Sequence, residues 1–381
     1  MSEVVNIPQL RFPEFSDAWE EKNVGDVLTI GSGRDYKHLN NGDIPVYGTG
    51  GYMTSVDSFL YDGESVCIGR KGTIDKPVLI DGKFWTVDTL FYTHSFVDLL
   101  PKFLFPLFKR INWKKYNEAS GVPSLSKSTI EKIKLSLPTK PEQQKIAAFL
   151  TTVDSKIEQL SKKQELLGSW KKGLMQQIFS QATRFKADDG CDFPDWEERK
   201  LGNLTKVVVG GTPSTSNESY WNNGSIPWLS SGGINDGNVI KASKLITQEG
   251  LDNSSAKLMP KGTTLLAMTG ATLGRVGYLL IETSGNQSVA GLIPNHNFYS
   301  KFLFYTLFKN KQTILSMAGG AAQAGINKAT IESFKFKFPI VEEQTKIANF
   351  LSSIDTKIEQ VGKQLIESKQ FKKALLQQMF V

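Results

Sequence analysis

The stretch Glu142-Gln143-Gln144-Lys145-Ile146-Ala147-Ala148-Phe149-Leu150 returns later in the chain as Glu343-Gln344-Thr345-Lys346-Ile347-Ala348-Asn349-Phe350-Leu351. The repeat continues to Phe179 and Phe380 at a constant offset of 201 residues, and 19 of the 38 aligned pairs are identical. Self-similarity at a fixed offset is the signature of a duplicated structural unit. The sequence therefore predicts two copies of one segment within a single chain.

Both copies have the pattern of a long helix with one apolar seam. Apolar residues alternate at spacings of four and three, which is the 3.5-residue period of a coiled coil. The predicted pairing residues are Ile146, Leu150, Val153, Ile157, Leu160, Leu167 and Leu174 in the first copy, and Ile347, Leu351, Ile354, Ile358, Val361, Leu365 and Leu375 in the second. Thr139-Lys140-Pro141-Glu142 predicts a capping box where the first helix begins. Each helix is expected to span roughly 55–60 Å.

A single seam cannot bury itself, so the two helices are expected to pair with each other. Antiparallel pairing suits the chain path, because the first helix leads into the second domain and the second helix follows it. Two unrelated amphipathic helices on separate domains are the alternative, but such helices would not share half of their residues at one offset. The sequence thus predicts a pseudo-two-fold molecule.

The remaining residues form two divergent copies of one globular plan, with an α+β fold class in each. The predicted division is 1–140 and 181–341 for the two tandem globular domains, and 141–180 and 342–381 for the two long helices that pair as an antiparallel coiled coil. Each domain begins with a tryptophan, Trp19 or Trp196, after an acidic, proline-containing lead. Glycine-rich loops between short β-prone runs follow, and each domain ends in an aromatic-rich helix.

The composition is typical of a globular protein, and its positive net charge favours anionic partners. The formal net charge is +7 and the sequence pI is about 9.1. Within the first domain, residues 102–140 hold 9 basic and 2 acidic side chains, whereas 1–101 hold 8 and 15. Such a basic sector could follow a phosphate backbone or form a solvated face. The first residues lack the features of a signal peptide and no apolar run could span a bilayer, so a cytoplasmic location without membrane contact is expected.

Motifs for catalysis are missing from the sequence. It contains no Asn-Pro-Pro-Tyr-like tetrapeptide for adenine methylation, no third glycine for a cofactor loop and no phosphate loop. Pro194-Asp195 followed by Glu198-Arg199-Lys200 resembles a metal-nuclease string, but its parts are crowded and the first domain lacks them. His38, His94 and His296 have no metal-ligand spacing, and two cysteines are too few for a cysteine-based zinc site. We therefore expect no catalytic residue and no metal ligand in this chain.

The chain resembles the DNA-specificity subunit of type I restriction–modification systems over nearly its whole length. The resemblance lies in two domains that each contain a Leu-Ser-Lys or Ile-Asn-Lys loop, end in a strand before proline, and precede Glu-Gln-x-Lys-Ile-Ala-x-Phe-Leu. It implies that each domain is a target-recognition domain for one half of a bipartite site in double-stranded DNA, and that the helices measure the spacer. It also implies docking of two methyltransferase subunits, which would carry S-adenosylmethionine and methylate adenine. Restriction subunits with ATP and Mg would join them.

Candidate DNA contacts follow from residue chemistry, because Arg, Asn, Gln, Ser and Thr read base edges and Lys or Arg hold phosphates. All candidates lie in polar, glycine-rich loops. In the first domain they are Arg34, Lys37, Tyr47, Arg70, Lys71, Lys76, Ser124, Ser126 and Lys127. In the second domain they are Thr212, Ser214, Thr215, Ser230, Ser231, Arg275, Gln323, Asn327 and Lys328. For any one of them, a role as a turn-former or a solvated charge is the alternative.

Two other functions stay open from the sequence. The chain could be a protein–protein adaptor that uses its paired helices without reading sequence, or an enzyme with unrecognised motifs that modifies DNA. Sequence-dependent, salt-sensitive DNA binding by the assembled complex would exclude the first. Activity that returns only when a methyltransferase subunit is added would exclude the second.

Overall fold

The computed structural model describes residues 6–295, 298–318 and 325–381. Contacts divide them into two units: unit 1 joins the described part of Met1–Lys163 to Val361–Val381, and unit 2 is Gln164–Gln360. This division cuts both repeated segments in the middle, whereas the sequence-based division treats them as segments of their own. The reason is that the two halves of each repeated segment pack into different hydrophobic cores.

Unit 1 is built from short strands and few helices. In chain order its elements are β1 (Glu20–Asn23), α1 (Val24–Val27), β2 (Thr29–Ser32), β3 (Asn41–Gly48), β4 (Gly51–Val56), β5 (Tyr61–Asp62), β6 (Ser65–Gly69), β7 (Val78–Ile80), β8 (Lys83–Thr86), β9 (Leu90–His94), α2 (Pro101–Arg110), a 3-10 turn (Trp113–Tyr116), α3 (Lys127–Glu131) and β10 (Lys134–Leu137). The long helix α4 (Lys140–Phe179) follows and continues into unit 2. Its sheets have the strand orders β2-β9-β6-β7, β4-β3-β8-β5 and β1-β10. The last pair is antiparallel and joins the start of the domain to its end.

Unit 2 repeats this plan with some differences in the middle. Its elements are β11 (Glu197–Lys200), α5 (Leu201–Leu204), β12 (Thr205–Val209), a 3-10 turn (Glu218–Tyr220), β13 (Ile226–Leu229), a 3-10 turn (Ser231–Gly233), β14 (Asn238–Val239), β15 (Lys244–Ile246), α6 (Gln248–Asp252), β16 (Thr264–Ala267), a 3-10 turn (Gly270–Thr272), β17 (Val276–Leu279), β18 (Ser284–Gly285), β19 (Val289–Pro294), α7 (Ser300–Lys309), α8 (Lys311–Met317), α9 (Lys328–Ser333) and β20 (Lys335–Phe338). The long helix α10 (Val341–Gln378) begins in unit 2 and ends in unit 1. Its sheets have the orders β12-β19-β16-β17-β14, β15-β13-β18 and β11-β20.

Aromatic side chains of α2 and α7 form the centre of each core. Phe103 and Phe108 are fully buried in unit 1, and Phe302 is fully buried in unit 2. Apolar residues at helical spacing place one face of each helix against the sheet. The two opening tryptophans are buried in the same cores, Trp19 against Phe103 and Trp196 against Phe302. In each domain, the tryptophan at the start of the domain therefore packs against the aromatic helix near its end.

The long helices α4 and α10 pack against each other within both units. In unit 1, Ile146 and Leu150 from the first half of α4 share a core with Leu375 and Met379 from the end of α10. In unit 2, Met175 and Ile178 from the end of α4 share a core with Ile347 and Leu351 from the start of α10. The start of one helix lies against the end of the other in each case, so the helices are antiparallel. The predicted fold class is confirmed.

The helix seam is buried unevenly along its length. Ile146, Leu150, Ile347, Leu351, Ile354 and Leu375 are buried in a globular core. Val153, Ile157, Leu167, Leu174 and Ile358 are only half-buried. Leu160, Val361 and Leu365 are again buried. The helices therefore bury their seam partly against each other and partly against the domains.

The start of each long helix is held by a buried ion pair. The Glu142 carboxylate accepts hydrogen bonds from Arg11 Nε and Nη2, each at 2.7 Å. Glu343 accepts from Arg184 Nε and Nη2 at 3.2 and 2.7 Å. Both carboxylate oxygens of Glu142 are bonded to an arginine from another segment, and the capping box at Thr139 stays a prediction. Bidentate, charge-assisted bonds between Arg and a carboxylate are among the strong hydrogen bonds in proteins.

No helix in the described ranges is both long and apolar enough to cross a membrane. Both cysteines are free thiols, Cys67 buried and Cys191 exposed. Burial raises the pKa of the Cys67 thiol to about 12. That thiol therefore stays protonated near neutral pH.

Candidate nucleic-acid interface

A four-residue turn between β8 and β9 forms the centre of the loop cluster in unit 1. The turn comprises residues 87–90 and is closed by the Leu90 N–H donating to the Val87 carbonyl at 2.9 Å. We call it the central turn of unit 1. Asp88 occupies its second position and is exposed, while Leu90 is buried. The turn thus exposes the polar side chain of Asp88, while a backbone hydrogen bond and the buried Leu90 hold its main chain in place.

Three neighbouring loops are joined to this turn and its strand by backbone hydrogen bonds. The Arg34 N–H donates to the Thr86 carbonyl at 2.8 Å, and the Arg70 N–H donates to the Thr89 carbonyl at 2.8 Å. The Val87 N–H donates to the carbonyl of Tyr47 at 3.0 Å. These bonds bring predicted contact residues from separate parts of the sequence to one place.

A fourth loop joins the cluster through the glycine turn after β6. The Leu125 N–H donates to the Arg70 carbonyl at 2.9 Å, and the Gly72 N–H donates to the Pro123 carbonyl at 2.8 Å. Ser124 is thereby placed beside Lys71, its partner in an isolated β-bridge. We define the first polar edge by the residues Arg34, Tyr47, Arg70, Lys71, Asp88 and Ser124.

Unit 2 has the same arrangement at residues 286–289, its central turn. The Val289 N–H donates to the Asn286 carbonyl at 3.0 Å and closes the turn. The Gly211 N–H donates to the Gly285 carbonyl at 2.8 Å, and the Met268 N–H donates to the Ser288 carbonyl at 2.8 Å. These bonds match those of Arg34 and Arg70 in unit 1.

The second loop of unit 2 is attached in the same way. The Asn286 N–H donates to the Leu229 carbonyl at 2.9 Å, as Val87 does to Tyr47 in unit 1. Both central turns therefore receive the same set of loops. We define the second polar edge by the residues Thr212, Ser230, Thr269, Gln287 and Ser288.

Glycine is required where the loop after β2 passes the end of β8, and where the loop after β12 passes β18. A Cβ on Gly33 would lie 1.9 Å from the Val87 carbonyl oxygen, and one on Gly210 would lie 2.2 Å from the Gly285 carbonyl oxygen. Both contacts are with backbone, which cannot move aside. The glycine-rich loops seen in the sequence are thus needed for close backbone approach in both units.

Side chains on the second polar edge form hydrogen bonds with one another. Thr212 Oγ1 donates to Gln287 Oε1 at 2.7 Å, and Thr269 Oγ1 donates to Ser288 Oγ at 2.7 Å. The first bond fixes the Gln287 amide and leaves its NH₂ group for another partner. Hydroxyl and amide groups ordered in this way can read hydrogen-bonding groups on a ligand.

The two edges differ in charge. The first has three cations, Arg34, Arg70 and Lys71, and one carboxylate, Asp88. The second, as defined, has only neutral polar side chains. A polyanionic backbone would therefore be attracted more strongly to the first edge.

Four of the nine basic side chains in the sector 102–140 form ion pairs with acids from the preceding part of unit 1. Lys102 pairs with Glu64 at 2.5 Å, Lys114 with Asp75 at 3.1 Å and Lys134 with Glu21 at 2.6 Å. Lys140 pairs with Asp98 at 3.3 Å. These exposed pairs account for part of the opposite charge bias of the two stretches. The sector is thus less cationic as a surface than its composition indicates.

Two of the candidate DNA contacts act as helix N-caps. Ser126 Oγ accepts a hydrogen bond from the Thr129 N–H, and Asn327 Oδ1 accepts one from the Thr330 N–H. Hydrogen bonds to the Glu118 carboxylate, from Thr129 Oγ1 and from Ser126 Oγ at 2.7 Å, lower the pKa of that carboxyl. The structure thus gives Ser126 and Asn327 a role in starting α3 and α9.

The other candidates lie at varying distances from the polar edges. Arg275 is half-buried, and its Nη1 donates to the Ile234 carbonyl at 3.5 Å. Lys328 pairs with Glu332 at 3.6 Å. Exposed positions outside the two defined edges are occupied by Lys37, Lys76, Ser214 and Thr215, and half-buried ones by Lys127 and Ser231. Gln323 lies outside the described residues.

Comparison with known proteins identifies a family whose sequence profile matches this chain twice. The sequence profile of the type I restriction modification DNA specificity domain matches residues 16–167 and again 194–368. Together these ranges cover well over half of the chain, one in each of the duplicated parts.

The chain belongs to the type I restriction–modification DNA-specificity family.

Named relatives agree with this assignment. The type I restriction enzyme MjaIX specificity subunit of Methanocaldococcus jannaschii is 32% identical over 193 residues, which cover 49% of this chain and 44% of that protein. The putative MjaX specificity subunit of the same organism is 30% identical over 279 residues, covering 71% of this chain and 64% of that protein. The alignments span less than two thirds of the length of either relative.

A solved structure shares the fold across the whole chain. The S subunit of a type I restriction–modification system from M. genitalium superposes with a TM-score of 0.72 and covers 98% of this chain and 99% of its own. The sequence identity is 17%, so this likeness concerns the fold. Two tandem domains and two long helices are therefore the architecture of this specificity subunit.

The nuclease-like string, residues 194–200, contributes to the packing and strand pairing of unit 2. Trp196 is buried, Glu197 pairs with Arg199 at 2.6 Å and Glu198 pairs with Lys335 at 3.5 Å. The residues lie around strand β11, which pairs with β20. Within the described ranges, no group of three or more His, Cys, Asp or Glu side chains could hold a metal ion. His296 lies outside those ranges.

Sequence reasoning missed the central turns themselves. Asp88, Thr89, Asn286, Gln287 and Ser288 were not among the candidates, although they occupy the middle of each loop cluster. The signal available was an alignment of the two domains at an offset of 199, which pairs Trp85-Thr86-Val87-Asp88-Thr89-Leu90 with Ser284-Gly285-Asn286-Gln287-Ser288-Val289. The two stretches have no identical residue at this offset, so their equivalence is hidden without the hydrogen bonds.

Proposed function

We propose that this chain is a non-catalytic specificity subunit in which each unit reads one half of a bipartite site in double-stranded DNA. The observation that carries the proposal is the presence of the same central turn in both units, with matching backbone hydrogen bonds and different exposed side chains. A common scaffold with different side chains suits two readers of different sequence. Arg, Asp, Gln, Ser and Thr are residue types that contact base edges in the major groove.

Phosphate contacts position such a reader, and base contacts specify the sequence. On the first polar edge Arg70 and Lys71 are exposed at the glycine turn after β6. Long cationic side chains on a tight turn suit contact with a phosphate backbone. Exposed Lys37 lies on the loop that leads away from Arg34 and adds to the same charge.

The two long helices would set the gap between the half-sites. Two reading modules on one face of B-DNA must lie about one helical turn, roughly 34–36 Å, or a multiple of it apart. α4 and α10 each contribute residues to both units, so in this proposal the number of residues in the helices would determine the spacing. A helix has a fixed rise of about 1.5 Å per residue and suits this task.

Exposed apolar side chains on the long helices favour a docking role as well. In unit 2, Leu166 and Trp170 are 57% and 50% exposed, and in unit 1, Ile366 and Phe371 are 59% and 52% exposed. Large apolar groups clustered on an exposed helix mark protein-binding surfaces. Trp170 and Phe371 are equivalent at the repeat offset of 201, so each unit offers one aromatic anchor.

Two methyltransferase subunits are the partners that we propose for this pair of surfaces. They would carry S-adenosylmethionine and methylate adenine, and restriction subunits would bring ATP and Mg. This chain would supply the sequence specificity and the assembly sites, with no catalytic group of its own.

A map of methylated adenines in a host genome tests the proposal. The partner subunits are expressed with and without this chain, and methylated positions are compared. We expect one split motif to be methylated only when this chain is present. Unchanged methylation in a strain with confirmed partner expression would reject DNA reading and favour an adaptor that only joins proteins.

A further inference from the structure

The tip of each central turn is the same structural position with different chemistry. Asp88 and Gln287 are both the second residue of a four-residue turn, and both are exposed. The following residue, Thr89 or Ser288, has its carbonyl bonded to the N–H of Arg70 or Met268. Hydrogen bonds therefore hold the backbone of the turn in the same way in both units. The exposed side chain at the tip differs, being Asp88 in unit 1 and Gln287 in unit 2.

Asp88 is the one carboxylate among the residues that define the first polar edge, and no described side chain forms an ion pair or a hydrogen bond with it. A carboxylate facing a phosphate would be repelled, so its place on a DNA-reading edge is opposite a base. An ionised carboxylate only accepts hydrogen bonds. The matching major-groove donor is an exocyclic amino group, and Asp accepts from N4 of cytosine.

Gln287 has both donor and acceptor groups, and Thr212 holds its orientation. Thr212 Oγ1 donates to Gln287 Oε1 at 2.7 Å, which uses one lone pair of the amide oxygen. The second lone pair and the NH₂ group remain for a ligand. This pairing of one donor with one acceptor matches N7 and N6 of adenine in the major groove.

Resting on the proposed function, we infer that Asp88 and Gln287 are specificity-determining residues, one for each half-site. Asp88 selects a cytosine in the half-site read by unit 1, and Gln287 selects an adenine in the half-site read by unit 2. Thr212 acts as a positioning residue for Gln287. The two choices are independent, because each residue belongs to its own unit.

The test uses the full chain assembled with its methyltransferase subunits and two nearly isosteric variants, Asp88→Asn and Gln287→Glu. Genome-wide adenine methylation gives the motif of each complex. Binding to duplexes that carry one substitution per position measures the discrimination at each base. We expect each variant to lose about 10- to 100-fold discrimination at one position of one half-site, with the other half-site unchanged.

Matched controls are Asp81→Asn in unit 1 and Gln312→Glu in unit 2, both at exposed positions outside the polar edges. These should keep the wild-type motif. A uniform loss of affinity for all duplexes, or an unchanged motif in both central-turn variants, would overturn the inference while the split motif of the wild-type complex upholds the proposed function. Absence of any split motif with the wild-type chain would instead reject the proposed function.

Discussion

The buried carboxylates Glu142 and Glu343 are single residues on which the packing of a whole segment depends. Each is the acceptor for an arginine from the segment that leads into a domain, Arg11 or Arg184. Glu343 also accepts from the Trp196 indole Nε1 at 3.2 Å. These bonds join the start of the helix to the start of the domain.

Replacing Glu343 with alanine should therefore be costly. Arg184 and Trp196 would lose their acceptor in a site where Glu343 is 0% exposed. Removing one partner of a buried pair costs about 3–5 kcal/mol of unfolding free energy. Urea unfolding followed by tryptophan fluorescence measures the loss.

The control for this measurement is Arg199→Ala, which removes an exposed pair with Glu197. Its expected cost is about 0–1 kcal/mol. Equal effects of the two substitutions would contradict a stabilising role for the buried carboxylate.

Lys301 is a second residue whose surroundings determine its ionisation. Its Nζ lies 3.9 Å from the centroid of the Tyr278 ring and 2.5 Å from Asn238 Oδ1. Burial lowers the pKa of Lys301 to about 8, with Asp355 opposing the shift. The amine is protonated more weakly in the folded chain than in the unfolded chain.

Stability should consequently rise with pH between about 8 and 10.5, because the unfolded state binds more protons there. The substitution Lys301→Met should flatten this rise in the free energy of unfolding. Urea unfolding at several pH values tests it, with Lys206→Met at an exposed position as the control. Parallel pH profiles for wild type and Lys301→Met would contradict the expected pKa.

Among the elements, the paired helices use the same ion pair in both units. Lys171 Nζ donates to Asp355 Oδ1 at 2.5 Å in unit 2, and Lys372 pairs with Asp154 in unit 1. The two lysines and the two aspartates are equivalent at the repeat offset of 201. Lys171 and Gln164 are the two polar positions on the apolar seam of α4, and a polar residue there specifies helix register.

A charge exchange tests this role. Lys171→Asp and Asp355→Lys should each destabilise unit 2, because each places like charges together in a half-buried site. The double exchange should recover part of the loss, with a coupling of roughly 0.5–3 kcal/mol. Additive effects of the two substitutions would show that the ion pair does not contribute to pairing.

At the scale of the whole molecule, helix length is the quantity expected to determine the DNA spacer. Insertion of seven residues that continue the seam into both α4 and α10 adds about 10.5 Å of helix, up to about three base pairs. We expect both half-sites to be kept and the gap between them to lengthen. Methylation mapping of the assembled complex measures both.

The control insertion adds seven Gly and Ser residues at the turn formed by residues 81 and 82, between β7 and β8, where no hydrogen bond or ion pair in the described ranges reaches α4 or α10. It should leave the gap unchanged. A heptad insertion that alters a half-site, or leaves the gap as it was, would contradict a spacing role for the helices.

The architecture follows from local signals. The repeat at an offset of 201 and the 3.5-residue spacing predict two helices that need each other, because an apolar seam must be buried. The twin tryptophans and glycine-rich loops predict two related domains. The N-caps Ser126 and Asn327 were also predictable, since Ser and Asn are favoured at that position, but their loop context led to their selection as DNA contacts.

Only the tertiary structure decided which loops meet. The central turns are joined to their neighbours by backbone hydrogen bonds between residues far apart in sequence, such as Arg34 with Thr86 and Gly211 with Gly285. Backbone groups are the same in every residue, so these bonds leave no periodic pattern in the side chains. The pairing of Arg11 with Glu142 is hidden for a similar reason, because 131 residues separate the partners. The sequence by itself therefore determined the duplicated α+β plan and its helices, while long-range pairing selected Asp88 and Gln287 as the tips of the two polar edges.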